Sequence, residues 1–325
     1  MRCPGTIFLL FTLVCLPGAG VHADSAWPAP LADESLLLDL VRTDEGFHAV
    51  GARGHVLFST DGNDWQQRIV PTRVLLTAVD FHDNKRGCAV GHDAVILCTD
   101  DGGEHWQRAH AQPDWQAPLL DVLFINEREV IAIGAHGLYL VSQDAGRSWQ
   151  RRPFTPAADA SDATDYEPHL HTVLQHDGRL LIAAEAGQLF ASSNAGADWQ
   201  QLSSPYTGSW FALVAGAADT FYLAGLRGHL YAGQLRSPRQ WRRLPADTRQ
   251  TLTDGRVLAG GEQVFVGHGG VVLYRATASA AVHVWRYPGR PALQAVVRGP
   301  GETLLLASDA GLLSVDLAEL RALEP

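Results

Sequence analysis

The chain has 325 residues, 46% hydrophobic and 18% charged, with 35 acidic against 25 basic side chains and a formal net charge of −10. That balance argues against nucleic acid and against an anionic membrane surface as partners, since both call for a basic face. The length would ordinarily divide into two domains, but no linker or low-complexity stretch interrupts it.

At the N-terminus, Met1 and Arg2 precede an apolar run at 7–16, then Pro17-Gly18 and the small-residue site Val21-His22-Ala23. This is the pattern of a secretory signal peptide, too short to anchor in a bilayer. Residues 1–23 are expected to be removed, leaving 24–325 as one exported domain with no membrane segment. A lipoprotein reading would use Cys15, but Val14 is a poor residue before it and the apolar run would be cut short. Cys3 and Cys15 leave with the signal, so Cys88 and Cys98 remain. They lie on the two strands of one hairpin, and two outcomes are open. If Gly91 pairs with Ala94, a disulfide needs a register shift; the alternative is two buried thiols.

From residue 47 onward, hairpin patterns recur at 47–51 with 54–59, 87–91 with 94–99, 130–134 with 137–142, and 180–184 with 187–192. Three more follow at 221–225 with 228–233, 264–267 with 270–275, and 303–308 with 311–315. An apolar segment precedes each, so a unit of roughly 43 residues reads as four short strands, the composition of a propeller blade. Behind the early hairpins lies a turn motif: Ser59, Asp61, Gly62 and Trp65; Thr99, Asp101, Gly103 and Trp106; Ser142, Asp144, Gly146 and Trp149; Ser192, Asn194, Gly196 and Trp199. Ser/Thr and Asp side chains hold backbone N–H groups, Gly supplies a positive φ, and Trp buries a large apolar face.

Trp65, Trp106, Trp149, Trp199, Trp241 and Trp285 each open a fourth strand, and Trp27 stands where a seventh would. The expected fold is all-β: a seven-bladed β-propeller of four-stranded antiparallel blades. Its last blade is expected to borrow an outer strand from the segment near Trp27, which would remove an exposed sheet edge. Residues 317–325 are left as a tail with the pattern of a helical turn.

The turns between second and third strands share one face with the connections between blades. They present Arg53, His92, His136, Glu185, Arg227, His268 and Asp309 beside small residues, a candidate partner-binding ring. Histidines from different blades do not by themselves define a metal site, and no metal or cofactor is expected. Arginines behind the anchors, such as Arg68, Arg108 and Arg151, fall on outer strands, where charge discourages edge pairing. An insertion at 153–168 carries Asp159, Asp162, Asp165, Tyr166 and Glu167, either solvated padding or a functional loop. No P-loop, HExxH helix, Gly-x-Ser-x-Gly elbow or dinucleotide fingerprint is present.

The turn motif resembles the Asp-box, or BNR repeat, of sialidases and sortilin-type receptors. The full unit, a Gly-x-x-Gly hairpin followed by Ser/Thr-x-Asp-x-Gly-x-x-Trp, is similar to that of the photosystem II stability/assembly factor family. That resemblance implies a non-catalytic scaffold in the thylakoid lumen or periplasm that holds a membrane-protein complex or exporter subunit, monomeric by default. The alternative is a glycan-active hydrolase of sialidase or glycosidase type, which expects clustered acidic residues over the central channel.

Overall fold

The structure, a computed structural model, describes residues 25–157, 167–237 and 239–324. The expected signal peptide and Asp159, Asp162, Asp165 and Tyr166 of the insertion lie outside them. Seven antiparallel sheets follow one another along the chain, six with four strands in sequential order and the last with three. The seven-bladed propeller is therefore as the repeats imply. Each blade is pressed between two neighbours, which explains the runs that the second strands share: Phe47–Gly51, Gly87–Gly91, Val130–Gly134 and Gln263–Gly267 are buried at every position. Outer strands such as Gln66–Arg68 and Arg242–Arg243 are short, the first partly and the second fully exposed.

Each Asp-box turn is built as its residue types require. The Ser59 hydroxyl accepts the Gly62 N–H at 2.8 Å, Asp61 Oδ1 accepts the N–H groups of Asn63 and Asp64, and Trp65 Nε1 donates to the Gly62 carbonyl at 3.1 Å. The Thr99 and Ser142 copies repeat this. In the Ser192 copy the carbonyl of Gly196 instead accepts from the Tyr139 hydroxyl at 3.0 Å. Each turn also leans on the preceding blade. Gly146, at φ +85°, has space for no side chain, because a Cβ would lie 2.6 Å from the sulfurs of both Cys88 and Cys98.

Those cysteines are joined. Left-handed Asp93 and Ala94 lengthen the turn so that Val90 faces Ile96, one step beyond a Gly91–Ala94 pairing, and Cys88 comes to lie across from Cys98. That is the register shift on which the disulfide depended.

The N-terminal segment does not complete blade seven. Among the described residues the last sheet contains only Leu293–Arg298, Thr303–Ser308 and Gly311–Asp316. The segment around Trp27 lies instead along blade one. The Ala26 N–H donates to the Val70 carbonyl at 2.8 Å, the Gln67 side chain bonds the Ala29 N–H and the Trp27 carbonyl, and the Arg73 guanidinium sits 4.4 Å above the Trp27 ring. The reason lies in Trp27-Pro28-Ala29-Pro30: two prolines in four residues remove the donors that a ladder needs, whereas the other anchors are followed by Gln or Arg. The chain ends still meet, because the turn Ala32–Glu34 lies over Gly311. After blade seven, Asp316 caps a helix, Leu317–Arg321, whose Leu317 and Leu320 belong to the apolar cluster shared by blades six and seven.

Candidate functional site: the channel and its turn-bearing face

Inner strands begin at the turn-bearing face: Leu37 pairs with Gly51, where the turn starts, and every inner strand carries a bulge at its second residue. The bulged residues line the mouth of a central channel of about 280 Å³. Three of them tie blades together. Thr77 and Thr253 donate to the Leu119 and Leu293 carbonyls of the next blades at 2.8 and 2.9 Å, and His171 Nδ1 lies 2.7 Å from the Trp210 carbonyl. The His171 ring also stacks on Phe211 at 4.6 Å. Leu38, Leu120 and Phe211 are half-buried and give the mouth three apolar positions among the polar Thr77, His171, Thr253 and Gln294.

Deeper in the channel are four half-buried carboxylates that sequence reasoning overlooked: Asp39, Asp80, Asp121 and Asp254. Each accepts a backbone N–H from the following blade, respectively from Val79 (2.8 Å), Phe124 (2.7 Å), Val173 (2.8 Å) and Val296 (2.9 Å). Burial pushes Asp39 up to about 6 and Asp80 and Asp121 up to about 7, against the backbone N–H bonds that favour the ionised form. Asp254 is raised by burial and held down in part by Arg256, 3.2 Å away. The signal was available: Leu38-Asp39-Leu40, Leu120-Asp121-Val122 and Thr253-Asp254-Gly255 place a carboxylate at the third residue of three apolar inner strands.

The seven turn residues fall on two tiers. Arg53, His136 and Arg227 occupy the left-handed position of their turns, at φ 56°, 53° and 57°, and Asp93, Ala186 and Gly269 fill it in the others. His92, Glu185 and His268 stand one residue earlier, and Asp309 belongs to a two-residue turn between Ser308 and Gly311. Asp309 Oδ1 accepts the Ala292 N–H at 2.8 Å, and Glu185 Oε1 accepts the His169 N–H at 2.6 Å, so these two carboxylates pin their own inner strands.

Two local groupings emerge. The rings of His136 and His169 are 4.7 Å apart, with Glu185 Oε1 at 3.7 Å from His169 Nε2. In blade five, Arg227 stands near His229, whose ring stacks on Tyr206 at 3.7 Å; burial first, then Arg243 and Arg227, lowers His229 below the usual imidazole range. Among the described residues, no three His, Cys, Asp or Glu side chains converge to hold a metal ion, and no helix is long and apolar enough to cross a membrane.

No curated protein matches the sequence. Among solved structures, one described as YCF48 bound to D1 peptide superposes with a TM-score of 0.67 at 13% identity, covering 87% of this chain and 93% of that one. YCF48 from Cyanidioschyzon merolae gives a TM-score of 0.70 at 16% identity, covering 91% and 100%. The WD40 β-propeller domain of Doa1 gives 0.69 at 13% identity, covering 87% and 92%. At these identities the likeness is one of fold. The family described as photosynthesis system II assembly factor YCF48 matches residues 57–291, most of the chain. The chain belongs to that family.

Proposed function

We propose that the protein is an exported, non-catalytic scaffold whose turn-bearing face holds an extended segment of a membrane-protein client. The observation that carries this reading is the composition of the channel mouth. Leu38, Leu120 and Phe211 stand among the polar Thr77, His171, Thr253 and Gln294, and the surrounding turns carry Arg53, His92, His136, Arg227 and His268 beside the backbone-bound Glu185 and Asp309, which suits an extended peptide with an apolar anchor and an anionic group. A family relative described as bound to D1 peptide supports a polypeptide ligand. The Cys88–Cys98 disulfide supports an oxidising compartment, in keeping with the leader-like sequence at 1–23.

The test is affinity capture from crosslinked periplasm or lumen, comparing the wild type with an Arg53→Ala/Arg227→Ala pair by mass spectrometry. A membrane protein enriched by the wild type and lost with the pair supports the reading. Undiminished capture by the pair moves the client to another surface.

A hydrolase reading has one observation in its favour, since the channel does hold clustered carboxylates with raised pKa values. Their oxygens, however, are engaged as backbone acceptors between blades, which ties them to the structure of the ring. Glycan hydrolysis abolished by Asp80→Asn or Asp121→Asn would favour it over the scaffold.

A further inference from the structure

We propose that the open outer edge of blade seven, Gly311–Asp316, is a second docking site, which takes an extended, arginine-bearing segment of a partner polypeptide as its fourth strand. This site lies apart from the channel mouth and does not rest on the client reading above.

The edge is defined by what the other blades have. Six blades carry a fourth strand of two to four residues on the third, and among the described residues blade seven has none. Ladder parity identifies the unpaired groups. The turn pairs Ser308 with Gly311, and beyond the strand the Leu317 N–H donates to the Glu302 carbonyl at 2.8 Å. Antiparallel bonding alternates, so Leu313 and Val315 bond inward and Leu312 and Ser314 turn their N–H and C=O groups outward. Ser314 is exposed. An unpaired edge of this kind is a template for strand addition.

Charge selects the occupant. Asp33 and Glu34 sit on the turn over Gly311, Asp309 precedes the strand and Asp316 ends it. Among the described residues none of the four joins an ion pair. The chain's own occupants of equivalent slots are basic: five of the six outer strands, all but Gln200–Gln201, contain arginine. A partner segment of the same chemistry would gain ladder bonds and meet uncompensated negative charge.

The probe is a fluorescent peptide with the sequence of residues 148–153, Ser-Trp-Gln-Arg-Arg-Pro, titrated against the mature protein by anisotropy. A second peptide has both arginines replaced by glutamate. The expected result is saturable binding of the basic peptide and at least about tenfold weaker binding of the acidic one. Ser314→Pro deletes an outward N–H while sparing the inward pairs and should weaken binding about tenfold or more at unchanged melting temperature. The pair Asp33→Lys/Glu34→Lys should weaken it several-fold without touching the strand, and decides the matter if the proline variant fails to fold. Arg53→Ala/Arg227→Ala should leave it unchanged, which separates this edge from the turn-bearing face. No saturable binding, equal affinity for the two peptides, or indifference to both edge variants would overturn the proposal. Dimerisation of the protein abolished by Ser314→Pro would also overturn it, by giving the edge to a second copy.

Discussion

Blades one to four and blades five to seven reach the same architecture by different means. In the first group the outer strand is held by a Ser/Thr-Asp/Asn-Gly turn and its tryptophan. In blade six the position of Ser59 belongs to Arg275, whose buried guanidinium donates to Gln263 Oε1 at 3.0 Å and to the carbonyls of Ala280 (2.9 Å) and Ala278. In blade five that position is Gly233, packed under Trp241. In blade seven the helix Leu317–Arg321 is tied by Arg321 to Glu262 of blade six and Glu302 of blade seven, and among the described residues there is no outer strand. The difference teaches that the buried second strands hold the ring together, while the Asp-box is one of several ways to fasten its rim.

The sharpest way to break the comparison is to remove equivalent anchors. Trp106→Ala deletes a side chain that is 5% exposed and should cost about 3–5 kcal/mol in urea unfolding. Trp241→Ala in blade five, where the ring is less buried, should cost roughly 2 kcal/mol. Equal losses would mean that the two halves are fastened alike. Next in size, Gly146→Ala places a Cβ against the disulfide in a left-handed conformation and should cost about 2–4 kcal/mol. Gly261→Ala has the same φ of +85° with nothing within 4 Å and should cost about 1 kcal/mol. Arg275→Ala leaves acceptors in the blade-six rim unpaired and should cost about 2 kcal/mol, an effect that a merely solvated arginine would not have.

The smallest effect concerns the channel, which both halves share. Asp80 and Asp121 have folded pKa values near 7, above the ordinary carboxylate value, so the folded state holds their protons more tightly than the unfolded chain. Their contribution is fully present below about pH 4 and is lost as pH rises towards 7. Thermal melting between pH 5 and pH 8 should show this decline, and Asp121→Asn should flatten it while raising stability at pH 8. Glu262 and Asp83, both held at about 2, titrate below this window and do not mask it.

The ring and its blade count were legible because each blade repeats one pattern, and the four Asp-boxes could be read residue by residue. The failure of Trp27 to close the ring was legible too, in Pro28 and Pro30, although Trp27 stands where a seventh anchor would. The disulfide turned on whether Asp93 and Ala94 adopt a left-handed conformation, which tertiary packing decides and spacing does not. For the candidate site, the turn residues were found but their two tiers were merged, although alignment on the Gly-x-x-Gly frame separates Arg53, His136 and Arg227 from His92, Glu185 and His268. His169 beside His136, and His229 beneath Tyr206, come from segments 20 to 35 residues apart that the packing of a blade on its neighbour and on its own inner connection brings together.

In the proposed function a client segment lies over the channel mouth on the turn-bearing face. Site-specific photocrosslinking tests it most directly, with a benzophenone amino acid placed in vivo at Leu120 on the mouth or at Asn63 on the opposite, Asp-box face. The expected result is a crosslink to one membrane protein from Leu120, absent from Asn63 and lost when Arg53→Ala/Arg227→Ala is added. The same crosslink from Asn63 with none from Leu120 would contradict it.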